Sequence, residues 1–226
     1  MKKLPETATA SGICLNTADI YRIEEKVMEN LEIKKLTPEL LEDFLYFFEN
    51  VAHTDNKEWD RCYCTNYCAA HNNLVTKRKN FADPDVRKPY AVEYVNSGLM
   101  QGYLAYIDGK VIGWCNANTR NECLHCFGWK NHIATKEINR KTKEKIKSVF
   151  CFAVAPECRG RGVAQALLER VIADAKQDGF EYIEAYPNKE ETDVYYNYVG
   201  PMGLYKKLGF ELFTETKWRA VLRKKL

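Results

Sequence analysis

Hydrophobic positions along the chain change spacing several times, and each change marks an element. Residues 1–30 show no β alternation; Asn16-Thr17-Ala18-Asp19 can start a helix carrying Ile20, Ile23, Val27 and Leu31 at spacings near three and four. That segment is expected to be an N-terminal extension, partly helical. A strand is predicted over Leu31–Leu36. Thr37-Pro38 then offers an N-cap with proline at the first helical position, and Leu40, Leu41, Phe44, Leu45 and Phe48 form one apolar face ending near Val51. From His53 to Asn80 the pattern lapses into polar, aromatic and Cys-rich sequence, which predicts a long loop. A helix is expected within Pro84–Ser97, restarting at Pro89 and capped by Gly98. Gln101–Ile107, the turn Asp108-Gly109 and Lys110–Asn116 read as a hairpin.

After a polar excursion over Asn118–Lys145, the apolar run Lys147–Val154 predicts a strand, and the following turn changes the picture from fold to chemistry. Arg159-Gly160-Arg161-Gly162-Val163-Ala164 joins that strand to a helix whose buried stripe is Val163, Leu167, Val171 and Ala175, with Ala164, Leu168 and Ile172 beside it. The two glycines let the backbone approach a ligand closely, and a helix N-terminus presents unpaired N–H groups to an anion. The spelling excludes two better-known phosphate loops. Neither G-x-x-x-x-G-K-[ST] nor G-x-G-x-x-G occurs, because Gly162 is followed by Val163, Ala164 and Gln165. Phe180–Tyr186 is the next predicted strand, residues 190–199 a tyrosine-rich loop, Met202–Leu208 a short helix stopped by Gly209, and Phe210–Leu222 a terminal pair of strands.

Composition narrows the partners. The chain has 226 residues, 46% of them hydrophobic, enough for one domain with an appendage. Its net charge of +3 is spread among both signs, so no basic field calls for nucleic acid. The dense basic runs Lys77-Arg78-Lys79, Arg140–Lys147 and Arg223-Lys224-Lys225 read as solvated faces. There is no eighteen-residue apolar run, and Met1-Lys2-Lys3 leads into Leu4-Pro5-Glu6-Thr7 rather than a signal core, so no membrane contact and a cytoplasmic location are expected. Nine cysteines, an odd count, argue against a full disulfide framework. Cys62-x-Cys64-x-x-x-Cys68 with His71, and Cys123-x-His125-Cys126, have poor zinc spacing because C-x-C brings two thiolates too close. Reduced thiols near a substrate pocket, with no metal, are the expectation.

The order strand, R-x-x-G-x-A turn, helix, strand resembles the signature segment of the GNAT superfamily of acyl-CoA-dependent N-acyltransferases. Further strings resemble one bacterial branch of it: Gly102-Tyr103-Leu104-Ala105-Tyr106-Ile107-Asp108-Gly109 with Val111-Ile112-Gly113-Trp114-Cys115, the Trp59–Cys68 cluster, and Tyr198-Val199-Gly200-Pro201 to Tyr205 with Leu208-Gly209-Phe210. The resemblance covers roughly residues 31–222. It implies an α/β (α+β) GNAT fold: a twisted, mixed but mostly antiparallel sheet split by a V-shaped opening, with helices on both faces. Residues 31–226 would be the acetyltransferase domain, carrying acetyl-CoA as co-substrate. The resemblance further implies that Phe152, Ala153 and Val154 offer backbone atoms to the pantetheine, and that Arg159, Gly160, Arg161, Gly162, Val163 and Ala164 meet the diphosphate. Tyr205 would be the catalytic acid that protonates the departing thiolate.

The resemblance does not supply a base. The carboxylate that one branch of the superfamily places on the first of these strands is absent from Lys147-Ser148-Val149-Phe150, which leaves Glu184, Glu122, Tyr195, Tyr196 and Tyr198 as routes through water. Asn197 sits near a familiar asparagine position, with the spacing altered by Gly200-Pro201. The acceptor would be a primary amine on a small molecule or peptide, held by the loops 53–80 and 118–145; a homodimer is compatible with the sequence. Two other readings stand beside this one. A CoA-binding sensor without turnover is favoured by the missing carboxylate. A zinc-dependent nucleic-acid binder built on Cys62, Cys64, Cys68 and Cys126 leaves the glycine turn unexplained.

Overall fold

The computed structural model describes residues 30–56, 58, 60–68, 83–135, 137–190 and 197–226. The N-terminal extension, the cluster's Trp59 and His71, the basic run 77–79, and Tyr195 and Tyr196 lie outside the described residues.

Seven strands form one sheet in the order β1-β2-β3-β4-β5-β7-β6. They are β1 Leu31–Lys35, β2 Gly102–Ile107, β3 Lys110–Thr119, β4 Ile146–Val154, β5 Tyr182–Ala185, β6 Glu211–Glu215 and β7 Ala220–Lys225. All neighbours are antiparallel except β4 and β5. That parallel pair is joined by the long helix α4 (Val163–Gln177), the crossover a parallel connection requires. The mixed, mostly antiparallel sheet expected from the resemblance is therefore present.

Alternation along the strands produces two cores. Leu104, Tyr106 and Trp114 face α1 (Leu41–Asn50), which buries Phe44, Phe47 and Phe48, and α2 (Pro84–Asn96) with Tyr94 and Val95. Tyr103, Ala105 and Cys115 face the other way, against Val163, Leu167, Leu168 and Val171 of α4. Each fully buried leucine of that stripe contributes roughly 1.5–3 kcal/mol. Helices thus cover both faces.

Three elements differ from expectation. Pro84–Asn96 is one helix running through Pro89, with Asp83 capping the amide of Asp85 at 2.9 Å. Pro89 and Asp85, whose carbonyl loses its partner, are both exposed, so the proline is tolerated. The excursion 118–145 is partly ordered: β3 continues to Thr119, and α3 (Arg120–Cys123) and a π-helical turn Trp129–Ile133 follow. The strand expected over 180–186 shortens to Tyr182–Ala185, and its C-terminal end coincides with the last pairing to β4, Val149 with Ala185. Among the described residues no helix is long and apolar enough to cross a membrane.

Candidate functional site

The bend in β4 has a local cause. Asn116 and Ala117 of β3 pair with Cys151 and Val149, so Phe150 is an extra residue and β4 carries a β-bulge. The bulge breaks the alternation: Phe150 and Cys151 both point to the α1 side, while Val149 and Phe152 point to the α4 side. Pairing with β5 stops at Val149–Ala185, directly before it. Beyond that point β4 runs on to Val154 paired with β3 alone, and the two parallel strands open into a wedge.

Two cavities meet on this free edge. The first, about 410 Å³, lies between the wedge and the N-terminus of α4, lined by Gly160, Gly162, Val163, Ala164 and Gln165 on one side and by Asn197, Gly200 and Pro201 on the other. Gly160 and Gly162 have φ of 75° and 82°, left-handed values that only glycine adopts without strain, and Gly162 is the N-cap of α4. The free N–H groups of the first helical turn and the positive end of the helix dipole therefore border the cavity. Arg161 is half-buried beside it and forms no ion pair among the described residues. Arg159 also lines this cavity, but its charge is already engaged. Its guanidinium pairs with Asp55 at 2.6 Å and donates to the carbonyls of Val154 (3.1 Å) and Ala52 (3.5 Å), tying the turn to the segment after α1.

The second cavity, about 460 Å³, lies on the other side of β4. His53, Cys62, Cys64 and Tyr67 of the first long loop line it together with His132 of the second, Cys151 of β4 and Arg219 ahead of β7. Phe152, Val154, Arg159 and Tyr198 line both cavities, so the two connect at the end of β4. Its loop wall is strained: Arg61, Tyr63 and Cys64 have φ of 49°, 48° and 51°, left-handed values costly for side chains that carry a Cβ. Burial, followed by the nearby charge of Arg159, lowers the His53 pKa to about 4 and keeps the ring neutral. Burial and then Arg219 also lower His132. Burial pushes the Cys64 thiol up, but hydrogen bonds from Cys151 and Asn116 outweigh it and leave it below the ordinary thiol value.

The segment 197–200 closes the wedge with two adjacent carbonyls. The amide of Phe152 donates to the Tyr198 carbonyl at 2.6 Å, and the buried hydroxyl of Tyr205 donates to the Val199 carbonyl at 2.5 Å. Burial pushes the Tyr205 phenol well above its usual value, so it stays protonated. Ala153 pairs with Trp114 of β3, and the Val154 carbonyl accepts from Arg159. Of the residues expected to meet the donor, Phe152, Val154, Arg159, Gly160, Gly162, Val163 and Ala164 line the donor-side cavity, whereas Ala153, Arg161 and Tyr205 are not among its lining residues.

Other candidates fall outside it. Glu184 is fully buried between Arg120 (3.0 Å) and Arg223 (2.5 Å) and also accepts from Tyr186 at 2.9 Å, which makes it a structural anion rather than pocket wall. Glu122 is exposed on α3. Asn197 does line the donor-side cavity. Among the described residues no cysteine is in a disulfide, and no three of His, Cys, Asp or Glu group as metal ligands. The loops 53–80 and 118–145 expected to hold the acceptor do supply His53, Tyr67 and His132, whereas sequence reasoning missed Arg219, which carries no local motif and reaches this end of β4 only through the sheet.

Comparison with known proteins agrees with this architecture. The GNAT domain of PAT from S. lividans superposes with a TM-score of 0.53 at 16% identity, covering 87% of this chain and 90% of that one. A GCN5-related N-acetyltransferase from Kribbella flavida gives 0.50 at 20% identity, covering 88% and 99%. At such identities the likeness is one of fold. An uncharacterised N-acetyltransferase of Methanocaldococcus jannaschii is 28% identical over 111 residues, 48% of this chain and 38% of the relative, so the match spans well under half of that relative's length. Residues 58–210, more than half of the chain, match the acetyltransferase (GNAT) family, and the protein belongs to that family.

Proposed function

We propose that the protein transfers an acetyl group from acetyl-CoA to a primary amine of a small molecule or peptide, by direct attack in a ternary complex. The observation that carries this reading is the meeting of the two cavities at Phe152 and Val154: an anion-seating helix N-terminus on one side, a loop-bounded chamber on the other. The diphosphate sits on the N–H groups from Gly160 to Ala164, with Arg161 as the available cation. Arg159 holds the turn in place through Asp55 rather than meeting the phosphates.

The pantetheine follows the free edge of β4. The Tyr198 and Val199 carbonyls stand where the donor's own acceptors belong, on the Phe152 amide and the Tyr205 hydroxyl. Donor entry exchanges these partners: its carbonyl takes the amide and its sulfur the hydroxyl. The neutral amine then forms the N–C bond, the C–S bond breaks with its electron pair going to sulfur, and Tyr205 supplies the proton the thiolate needs. Among the described residues no carboxylate lines the second cavity, and the proton leaving the amine passes to solvent or to neutral His53.

Calorimetry with acetyl-CoA tests the donor half, with Gly162→Asp placing a side chain and a negative charge at the helix N-cap. Loss of binding in a folded variant is expected; unchanged affinity would refute the site. Release of CoA thiol across a panel of amines, corrected for the protein's own cysteines, tests the transfer.

A further inference from the structure

The chemistry of the acceptor cavity narrows the amine, an inference that rests on the acetyltransfer reading above. Its described lining residues include Arg159 and Arg219, His53 and His132, and among them there is no Asp or Glu. Arg159 is neutralised by Asp55 at 2.6 Å. Both imidazoles are held toward the neutral form, first by burial and then by the nearby arginines. Arg219 is different. It is only 7% exposed, and among the described residues it has no carboxylate partner.

Its position is built rather than incidental. The Arg219 amide is held by the Thr216 hydroxyl at 2.9 Å, and its backbone forms a bridge to Asn188. Its Nη1 donates to the Tyr186 carbonyl at 3.0 Å and its Nη2 to the Tyr198 hydroxyl at 3.0 Å. Of the five N–H donors of a guanidinium, the others have no protein acceptor among the described residues. Both acceptors it does have are neutral. A buried cation with neutral partners is costly unless an anion completes it. The donor's diphosphate is not that anion, because Arg219 lines only the cavity away from the α4 N-terminus.

We propose that the acceptor is an amine that also bears a carboxylate, an amino-acid-like molecule whose carboxylate pairs with Arg219 while its amine is presented to the end of β4. A guanidinium suits a planar carboxylate in a two-pronged, charge-assisted pair. Tyr67, stacked on Phe150 at 5.2 Å, and Phe152 give the rest of the chamber apolar wall for a side chain. The same arithmetic disfavours polyamines, which would add positive charge beside Arg219 with no acid among the described wall residues to receive it.

The test compares matched molecules on the full-length protein: phenylalanine and leucine, their C-terminal amides, and the corresponding decarboxylated amines. Binding is read by calorimetry with and without CoA, and transfer by kcat/KM with acetyl-CoA. The carboxylate members are expected to bind at least about tenfold tighter than their amides, about 1.4 kcal/mol. Arg219→Gln should bring that ratio to within about threefold while acetyl-CoA affinity holds, and Arg219→Lys should retain part of it. Equal or tighter binding of the amides, no binding of any carboxylate member, or a preference that survives Arg219→Gln would each overturn the proposal. If Arg219→Gln does not fold, the wild-type ratio decides alone. The carboxylate preference measured without CoA stands apart from the donor site, so a protein that shows it yet fails to bind acetyl-CoA would refute the acetyltransfer reading and not this one.

Discussion

A single hydroxyl and a single ring show how much one atom controls in this site. Tyr205→Phe keeps the ring packed on Phe210 and removes only the group that donates to Val199. Acetyl-CoA affinity should hold while single-turnover acetylation falls by about 10² to 10⁴, the contribution of a positioned acid; a rate within about threefold of the parent would leave this tyrosine as wall. Gly200→Ala is expected to disturb the same place from the other side. The added Cβ would lie 2.7 Å from the Tyr205 hydroxyl and 3.1 Å from the Phe152 ring, at a backbone φ of 84°. His53 gives a pH signature. Its folded pKa of about 4 lies below the ordinary imidazole value of 6.5, so the unfolded chain takes up a proton first and stability falls as pH drops from about 6.5 toward about 4. Urea unfolding of the parent and His53→Gln at pH 7.5 and at pH 5 checks the sign: the parent should lose more on acidification.

Strands and helices divide cleanly into those the sequence announces and those it hides. The Asp108-Gly109 hairpin, the apolar face of α1 and the glycine turn before α4 were legible because their signals are local: a turn dipeptide, a helical stripe, two glycines at a helix start. The early end of β5 was not, because it coincides with a bulge in the neighbouring strand β4. Glu184 was also misjudged. The sequence left it as a possible proton route through water, yet Arg120 and Arg223 converge on it from α3 and β7. Removing that carboxylate should therefore cost stability rather than catalysis. Glu184→Gln leaves Arg120, 2% exposed, without its anion, and denaturant unfolding should show a loss of about 3–5 kcal/mol, with acetyl-CoA affinity of the folded protein retained. A normal midpoint with lost turnover would instead restore Glu184 as a candidate base.

Across the whole molecule, the Asp55–Arg159 pair links the donor turn to the loop that walls the acceptor chamber. Asp55→Asn should release the Arg159 charge toward the diphosphate, tightening acetyl-CoA while raising KM for the acceptor as the loop loosens; affinities moving in the same direction would argue against this linkage. The wedge itself has a simpler origin. It depends on one surplus residue in β4, since two residues there oppose one on β3. Deleting Phe150 would leave Val149, Cys151, Phe152 and Ala153 on the faces they already occupy and restore strict alternation, so the core would keep its pattern while the strand lost its kink. Phe150→Leu would do the reverse, costing within about 1.5 kcal/mol and preserving the kink. If the deletion variant folds but no longer takes up acetyl-CoA while the leucine variant still does, then the binding cleft is written into this chain as a length, a count of residues on one strand, rather than as the identity of any side chain that lines it.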